Sequence, residues 1–296
     1  MFPFFSWCAA AILTFNTTSS NSELIVPGAQ LKKIADTFAF TEGPARNTQG
    51  DIYFTDQPND RIWIYTHEDQ LILFKEGTGR ANGLYFHPDG TLWACSDEQH
   101  EIRAYHPLGS FQLKMPGRVN GRRFNGPNDL WIHPHTQTVY FTDPFYPRPY
   151  WPYKNQELGK QGVYALFPGQ TIPVLLDETL VQPNGIIGSP DGKFLYVADI
   201  KDQKTYRYQI NAQGALEDRQ LWTSMGSDGM TVDEQGNVYL TGKGVTIFNP
   251  KGEKIAHIPV PEPWTANVTF GGKDKKTLFI TASKSIYTLA MQVEGR

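Results

Sequence analysis

Glu42, Asn128, Asn184 and Asp228 lie far apart in the chain, yet each stands at the same point of a recurring local pattern. Together they offer two carboxylates and two amide oxygens. That is a hard-oxygen set, suited to Ca²⁺ or Mg²⁺ rather than to a thiolate-seeking metal. Two carboxylates brought together without a cation repel one another and raise one pKa, a cost that a divalent ion removes. The plainer reading of any one of these residues is a turn former, because Asn and Asp before Gly are common at strand starts. Glu42, in Glu42-Gly43-Pro44, has no such propensity reason.

The pattern itself has six copies. The openers are Glu42-Gly43-Pro44, Asn82-Gly83-Leu84, Asn128-Asp129-Leu130, Asn184-Gly185-Ile186, Asp228-Gly229-Met230 and Asn267-Val268-Thr269. Each is answered some residues later by a strand of type apolar-aromatic-apolar-Thr/Ala: Ile52–Asp56, Leu92–Ser96, Val139–Asp143, Leu195–Asp199, Val238–Gly242 and Leu278–Ala282. The openers recur every 39 to 56 residues, the range of a four-stranded propeller blade. The expected fold is therefore all-β, a six-bladed β-propeller in a single domain over residues 23–292. Its blades run roughly over 40–78, 80–118, 124–179, 182–224, 226–262 and 264–292. The last blade is one strand short, so residues 23–38 are expected to supply its outer strand and close the ring. An unclosed ring would leave two open sheet edges.

Turn pairs punctuate the strands at Gln49-Gly50, Asp89-Gly90, Asp191-Gly192, Gln235-Gly236 and Lys251-Gly252. The third blade carries an insertion, residues 144–162, with four prolines in its aromatic run Phe145–Tyr153 and at its start, which exclude a central strand. Two readings stand for it: a lid over a central cavity, or a surface loop packed on a neighbouring blade.

The 296 residues carry a net charge of −3 and no basic run, so nucleic acid is not an expected partner. Residues 1–15 hold no charged side chain and 16–22 are small and polar. Residues 1–22 therefore read as a signal peptide or a disordered tail, which points to a secreted or periplasmic protein and otherwise to a cytoplasmic one. The apolar run is too short to span a bilayer. Cys8 and Cys95 imply neither a disulfide framework nor a metal site. Asn16 and Asn267 each fit a glycosylation acceptor, the second by chance in an interior strand. No Gly-x-Ser-x-Gly elbow appears, and Ser227 has no His in its motif, which argues against a serine hydrolase. The seven histidines fall outside the opener pattern and read as turn or surface residues.

Phe40-Thr41-Glu42-Gly43-Pro44, Arg123–Leu130 with Asn125-Gly126-Pro127-Asn128-Asp129, Pro183–Ile186 and Ser227–Met230 resemble the gluconolactonase family, which includes senescence marker protein (regucalcin). The resemblance covers residues 35 to 290. It implies a propeller that opens sugar lactones with one divalent cation, Ca²⁺ before Mg²⁺ or Zn²⁺. By matching motif, Glu42, Asn184 and Asp228 become metal ligands and Asn128 a fourth ligand or a substrate contact. Arg123 and Asn125 match the family's substrate-handling stretch, and Asp129 is a substrate contact or an ordinary turn carboxylate. Here Gly126-Pro127 separates Asn125 from Asn128, which leaves open which asparagine faces the ion. The implied mechanism has the cation polarise the lactone carbonyl while Asp228 aligns and deprotonates the attacking water. The competing readings are a non-catalytic binding propeller and a paraoxonase-like arylesterase with a more apolar substrate.

Overall fold

The computed structural model describes residues 21–296. The leader reading thus lies, but for its last two residues, outside the described residues, as do Cys8 and Asn16. Six four-stranded antiparallel sheets follow one another along the chain. Blade 1 comprises Thr41–Arg46, Ile52–Asp56, Arg61–Tyr65 and Leu71–Glu76, and blade 2 Ala81–Phe86, Leu92–Ser96, Glu101–Tyr105 and Phe111–Met115. Blade 3 comprises Leu130–Ile132, Val139–Asp143, Gly162–Leu166 and Val174–Asp177. Blade 4 comprises Pro183–Gly188, Phe194–Asp199, Lys204–Ile210 and Leu216–Thr223, and blade 5 Met230–Val232, Val238–Gly242, Gly244–Phe248 and Lys254–Ile258. Blade 6 takes Thr265–Gly271, Thr277–Ala282 and Ser285–Ala290 from the end of the chain and Lys32–Ala35 from its start. That last strand pairs antiparallel with Ser285–Ala290, so a strand from residues 23–38 completes the ring as expected. A short hairpin, Arg118–Val119 with Arg122–Arg123, stands between blades 2 and 3. The only α-helix among the described residues is Asn21–Leu24.

The answering strands are the second strand of each blade and are almost wholly buried. Their apolar side chains fill the gaps between successive sheets, as in the layer that joins Tyr140, Leu195, Val197, Val238 and Leu240 across blades 3, 4 and 5. The outer strands are half exposed, so only one side of each needs an apolar partner. The turn glycines Gly50, Gly90, Gly192, Gly236 and Gly252 all have positive φ, the left-handed conformation that their turns require.

The openers interrupt the ladder. In blades 1, 2, 4 and 6 the pairing of first and second strands shifts between Glu42 and Ala45, Ala81 and Leu84, Pro183 and Ile186, and Thr265 and Asn267. In blades 3 and 5 the first strand begins only after the opener. A bulge of this kind re-aims a side chain out of the ladder. Two residues further on, Pro44, Leu84, Leu130, Ile186, Met230 and Thr269, one from each blade, all line a single axial cavity of ≈ 220 Å³. Six positions of equal phase therefore share one axis.

Candidate active site

Close packing of the openers explains their glycines. A Cβ on Gly43 would overlap the Asn82 carbonyl, one on Gly83 would meet Asp129 and the Asn128 carbonyl, one on Gly185 the Asp228 carbonyl, and one on Gly229 the Asn267 side chain. Each glycine thus lets its opener approach the opener of the next blade. The threonines of the answering strands complete the contact. Thr55 Oγ1 donates to the Asn82 carbonyl at 3.2 Å, Thr142 Oγ1 to that of Asn184 at 2.7 Å, and Thr241 Oγ1 to that of Ala266 at 2.8 Å. The hub is a chain of blade-to-blade hydrogen bonds.

A second device fixes the entry into three openers. Asp56 accepts the backbone N–H groups of Ala39 and Phe40, Asp143 those of Asn125 and Gly126, and Asp199 those of Val181 and Gln182. In each case the two peptides lie just before the opener, at Glu42, Asn128 and Asn184 respectively. A carboxylate at the end of the second strand therefore sets the path of the loop that delivers each of these side chains. The signal was visible as Thr55-Asp56, Thr142-Asp143 and Ala198-Asp199, although no sequence pattern names the acceptor's partners.

Within the hub, Asn184 Nδ2 donates to Asp228 Oδ1 at 2.9 Å and to the Tyr146 hydroxyl oxygen at 2.8 Å. Both amide hydrogens are thereby committed, and the amide oxygen is the atom left for a ligand. Trp264 Nε1 donates to the other Asp228 oxygen at 2.6 Å. Glu42 Oε2 accepts from its neighbour Gly43 N at 2.7 Å and from Asn267 Nδ2 at 3.0 Å. The Asn128 side chain is buried and has no hydrogen-bond partner among the described residues. Asn82 Oδ1 is buried with no protein donor. Sequence reasoning counted Asn82 and Asn267 among the openers without giving them a role, and it missed Trp264 entirely.

The electrostatics follow from burial of like charges. Burial, with the charge of Asp228 next, pushes the Glu42 carboxyl well above its ordinary range. Burial raises Asp228 to about 6, although the Trp264 and Asn184 donors favour its ionised form. Asp129 is raised to about 7 by burial, with the charge of Asp228 adding to it. Burial foremost also keeps the Tyr146 phenol protonated at any ordinary pH. The donor set and its mutual repulsion fit a hard divalent cation. Among the described residues no three of His, Cys, Asp or Glu come together as a metal centre; the hub combines two carboxylates with amides instead.

Three of the residues read as substrate contacts stand differently. Arg123 pairs with Glu157 at 2.5 Å and lies 3.2 Å from the centroid of the Tyr153 ring, with no hub residue among its partners. The Asn125 amide donates to the backbone carbonyls of Asp143 and Lys160 at 3.0 and 2.7 Å. Its work is to brace the third-blade loop, because Gly126-Pro127 carries the chain past it before Asn128 turns inward. The structure brings neither Arg123 nor Asn125 to the hub. Asp129 lines the axial cavity beneath the openers and accepts Leu130 N at 2.9 Å. The histidines also stay outside: His87 stacks on Trp93, and His133 lies 3.1 Å from the Gly192 carbonyl.

The insertion takes the second of its readings, a loop packed on a neighbouring blade, and none of its residues lines the axial cavity. Its far part packs on blade 2, where Trp151 and Tyr153 contact His100, and Arg148 and Tyr150 bond to the buried Asp97. Its near end sends Tyr146 to Asn184 at the hub.

A pH dependence follows. Asp129 and Asp143 titrate at about 7 and Asp228 at about 6 in the fold, against about 3.9 in an unfolded chain. Between about pH 4 and 7 the native state therefore holds more protons than the unfolded one, and stability falls as pH rises through that window. In a chelating buffer the urea midpoint is expected to be higher at pH 5 than at pH 8. Asp129→Asn is expected to narrow the difference; a gap of unchanged size would show that Asp129 is not desolvated as described.

The family model that matches is the SMP-30/Gluconolactonase/LRE-like region, over residues 40–284. A gluconolactonase of Zymomonas mobilis is 28% identical over 295 aligned residues, covering 90% of this chain and 82% of its own. The solved structure of a gluconolactonase from Xanthomonas campestris superposes with a TM-score of 0.83 at 27% identity, covering 93% of each chain. Regucalcin of Agrobacterium tumefaciens, described as a calcium-binding protein, shares the fold with a TM-score of 0.74 at 17% identity, over 90% of this chain and 96% of its own. A closed six-bladed ring, openers of this order and a match across most of the chain lead to one conclusion: the protein belongs to the SMP-30/gluconolactonase/LRE-like family, as a gluconolactonase-like enzyme.

Proposed function

We propose that the hub hydrolyses sugar lactones with the help of one divalent cation. The observation that carries this reading is the burial of Glu42 and Asp228 as mutually repelling carboxylates beside the Asn184 amide. A scaffold that only binds partners has no use for that arrangement, which costs stability. Glu42, Asn128, Asn184 and Asp228 would hold the ion, with Ca²⁺ favoured by the hard-oxygen set and Mg²⁺ or Zn²⁺ as alternatives. When bound, the cation supplies Lewis-acid polarisation of the lactone carbonyl.

The protein's own groups supply the rest. Asp228 is held at both oxygens, by Trp264 and by Asn184, so its lone pairs have a fixed direction. It takes a proton from the water as that water attacks the carbonyl carbon, and returns the proton to the ring oxygen when the C–O bond breaks. The product is an open-chain hydroxy acid. Exhaustive chelation is expected to lower hydrolysis of glucono-1,5-lactone at least about 100-fold, the lower bound for losing one electrostatic stabiliser, and added Ca²⁺ to restore it. Full activity after chelation would rule out the cation's part in the reaction.

A further inference from the structure

The insertion in blade 3 has no counterpart in the other five blades, and among the described residues its one hydrogen bond with an opener side chain is made through a hydroxyl. Tyr146 Oη accepts from Asn184 Nδ2 at 2.8 Å. That bond occupies a lone pair of the oxygen and leaves the phenol's own proton to be donated elsewhere. No group among the described residues accepts it. The proton is therefore available to a ligand, two hydrogen bonds away from the Asp228 carboxylate that the proposed reaction uses as base.

The position is also well held. Pro144, Pro147, Pro149 and Pro152 restrict the backbone on both sides. Arg148 reaches the buried Asp97 with Nε at 3.2 Å and Nη2 at 3.4 Å, and its guanidinium lies 5.5 Å from the Tyr146 ring centroid. Tyr150 adds its hydroxyl to the same carboxylate. Trp151 is buried against His100 and Gly126. The arm is fastened to blade 2 and presents Tyr146 to blade 4, so the hydroxyl does not have to be ordered when substrate arrives. A donor fixed in advance is worth most where charge develops during reaction.

We infer that Tyr146 is a further catalytic residue, donating a hydrogen bond to the lactone carbonyl oxygen as it becomes an oxyanion. The inference rests on the lactonase reading above. In the step, water adds to the carbonyl carbon, the π pair moves onto the carbonyl oxygen, and Asp228 holds the water's proton. Tyr146 keeps its own proton throughout. Collapse re-forms the carbonyl, breaks the ring C–O bond and passes the proton from Asp228 to the departing oxygen.

The test is Tyr146→Phe, which keeps the ring and its packing. With glucono-1,5-lactone, kcat is expected to fall about 100-fold, the usual cost of one oxyanion donor, with KM within about threefold. Calorimetric titration with Ca²⁺ is expected to give wild-type affinity, because Asn184 keeps Asp228 as its acceptor. Titration with gluconate, whose carboxylate oxygen replaces the carbonyl oxygen, is expected to weaken about tenfold, as for loss of a bond to a charged group. Three results overturn the assignment: unchanged kcat and gluconate affinity, a rise in KM alone, or loss of Ca²⁺ binding that accounts for the lost rate through Asn184. A wild-type protein that neither opens the lactone nor binds gluconate would instead overturn the lactonase reading, and this inference with it.

Discussion

Asp228→Asn is expected to lower kcat for glucono-1,5-lactone by about 10³-fold, within the range that general-base loss usually costs, while making the cation-free protein more stable. Both effects come from the same contacts. Asp228 accepts one hydrogen bond from Trp264 and one from Asn184. An amide at 228 can accept only one of them and must turn its own NH₂ toward the other donor. If Asn184 flips to relieve that clash, it gives up its bond to Tyr146. The substitution therefore removes the proposed base and disturbs the proposed ligand next to it. It also removes a buried charge that repels Glu42 and Asp129. In a chelating buffer at pH 8 the variant is expected to unfold at higher urea than wild type, with a weakened response to Ca²⁺. Loss of activity together with loss of chelated-state stability would mean that Asp228 is structural, and the proposed reaction would lose its base.

This trade between activity and stability is common where a site concentrates like charges, and here it bears on what a sequence can disclose. The openers were legible because they repeat: Asn-Gly and Asp-Gly mark strand starts, and equal phase in six blades points to one axis. The closing strand was legible by counting, since blade 6 needed a fourth strand and residues 23–38 stood unassigned; the structure places that strand at Lys32–Ala35. Other parts depend on which residue lies across a blade boundary, and no local pattern carries that. Thr142 and Asn184 are partners across 42 positions, and Asp228 and Trp264 across 36. Arg123 and Asn125 show the opposite relation. They adjoin Asn128 along the chain, but Gly126-Pro127 and the short hairpin turn them toward Glu157 and the loop backbone. Tyr146 lies in an insertion, where repetition gives no guide at all.

Gly43→Ala is expected to cost about 3 kcal/mol of folding stability, and the comparison with Gly90→Ala shows why. Both glycines have positive φ, +46° and +87°, so each alanine bears the roughly 1–2 kcal/mol strain of a left-handed backbone. A Cβ at Gly90 meets nothing within 4 Å, whereas one at Gly43 overlaps the Asn82 carbonyl and approaches Gly83 Cα at 3.0 Å. The obstacle is backbone of the adjacent blade, which cannot rotate away as a side chain can. Overpacking of this kind adds about 1–3 kcal/mol. Relief requires blade 1 to move from blade 2 at the hub, which carries Glu42 away from Asn184 and Asp228. Gly43→Ala is therefore expected to lower the urea midpoint well beyond Gly90→Ala and, unlike it, to abolish the stabilisation that the proposed cation site would draw from Ca²⁺. Equal midpoints for the two variants would show that the openers do not pack as tightly as the hub requires, and the proposed cation site would lose its geometric basis.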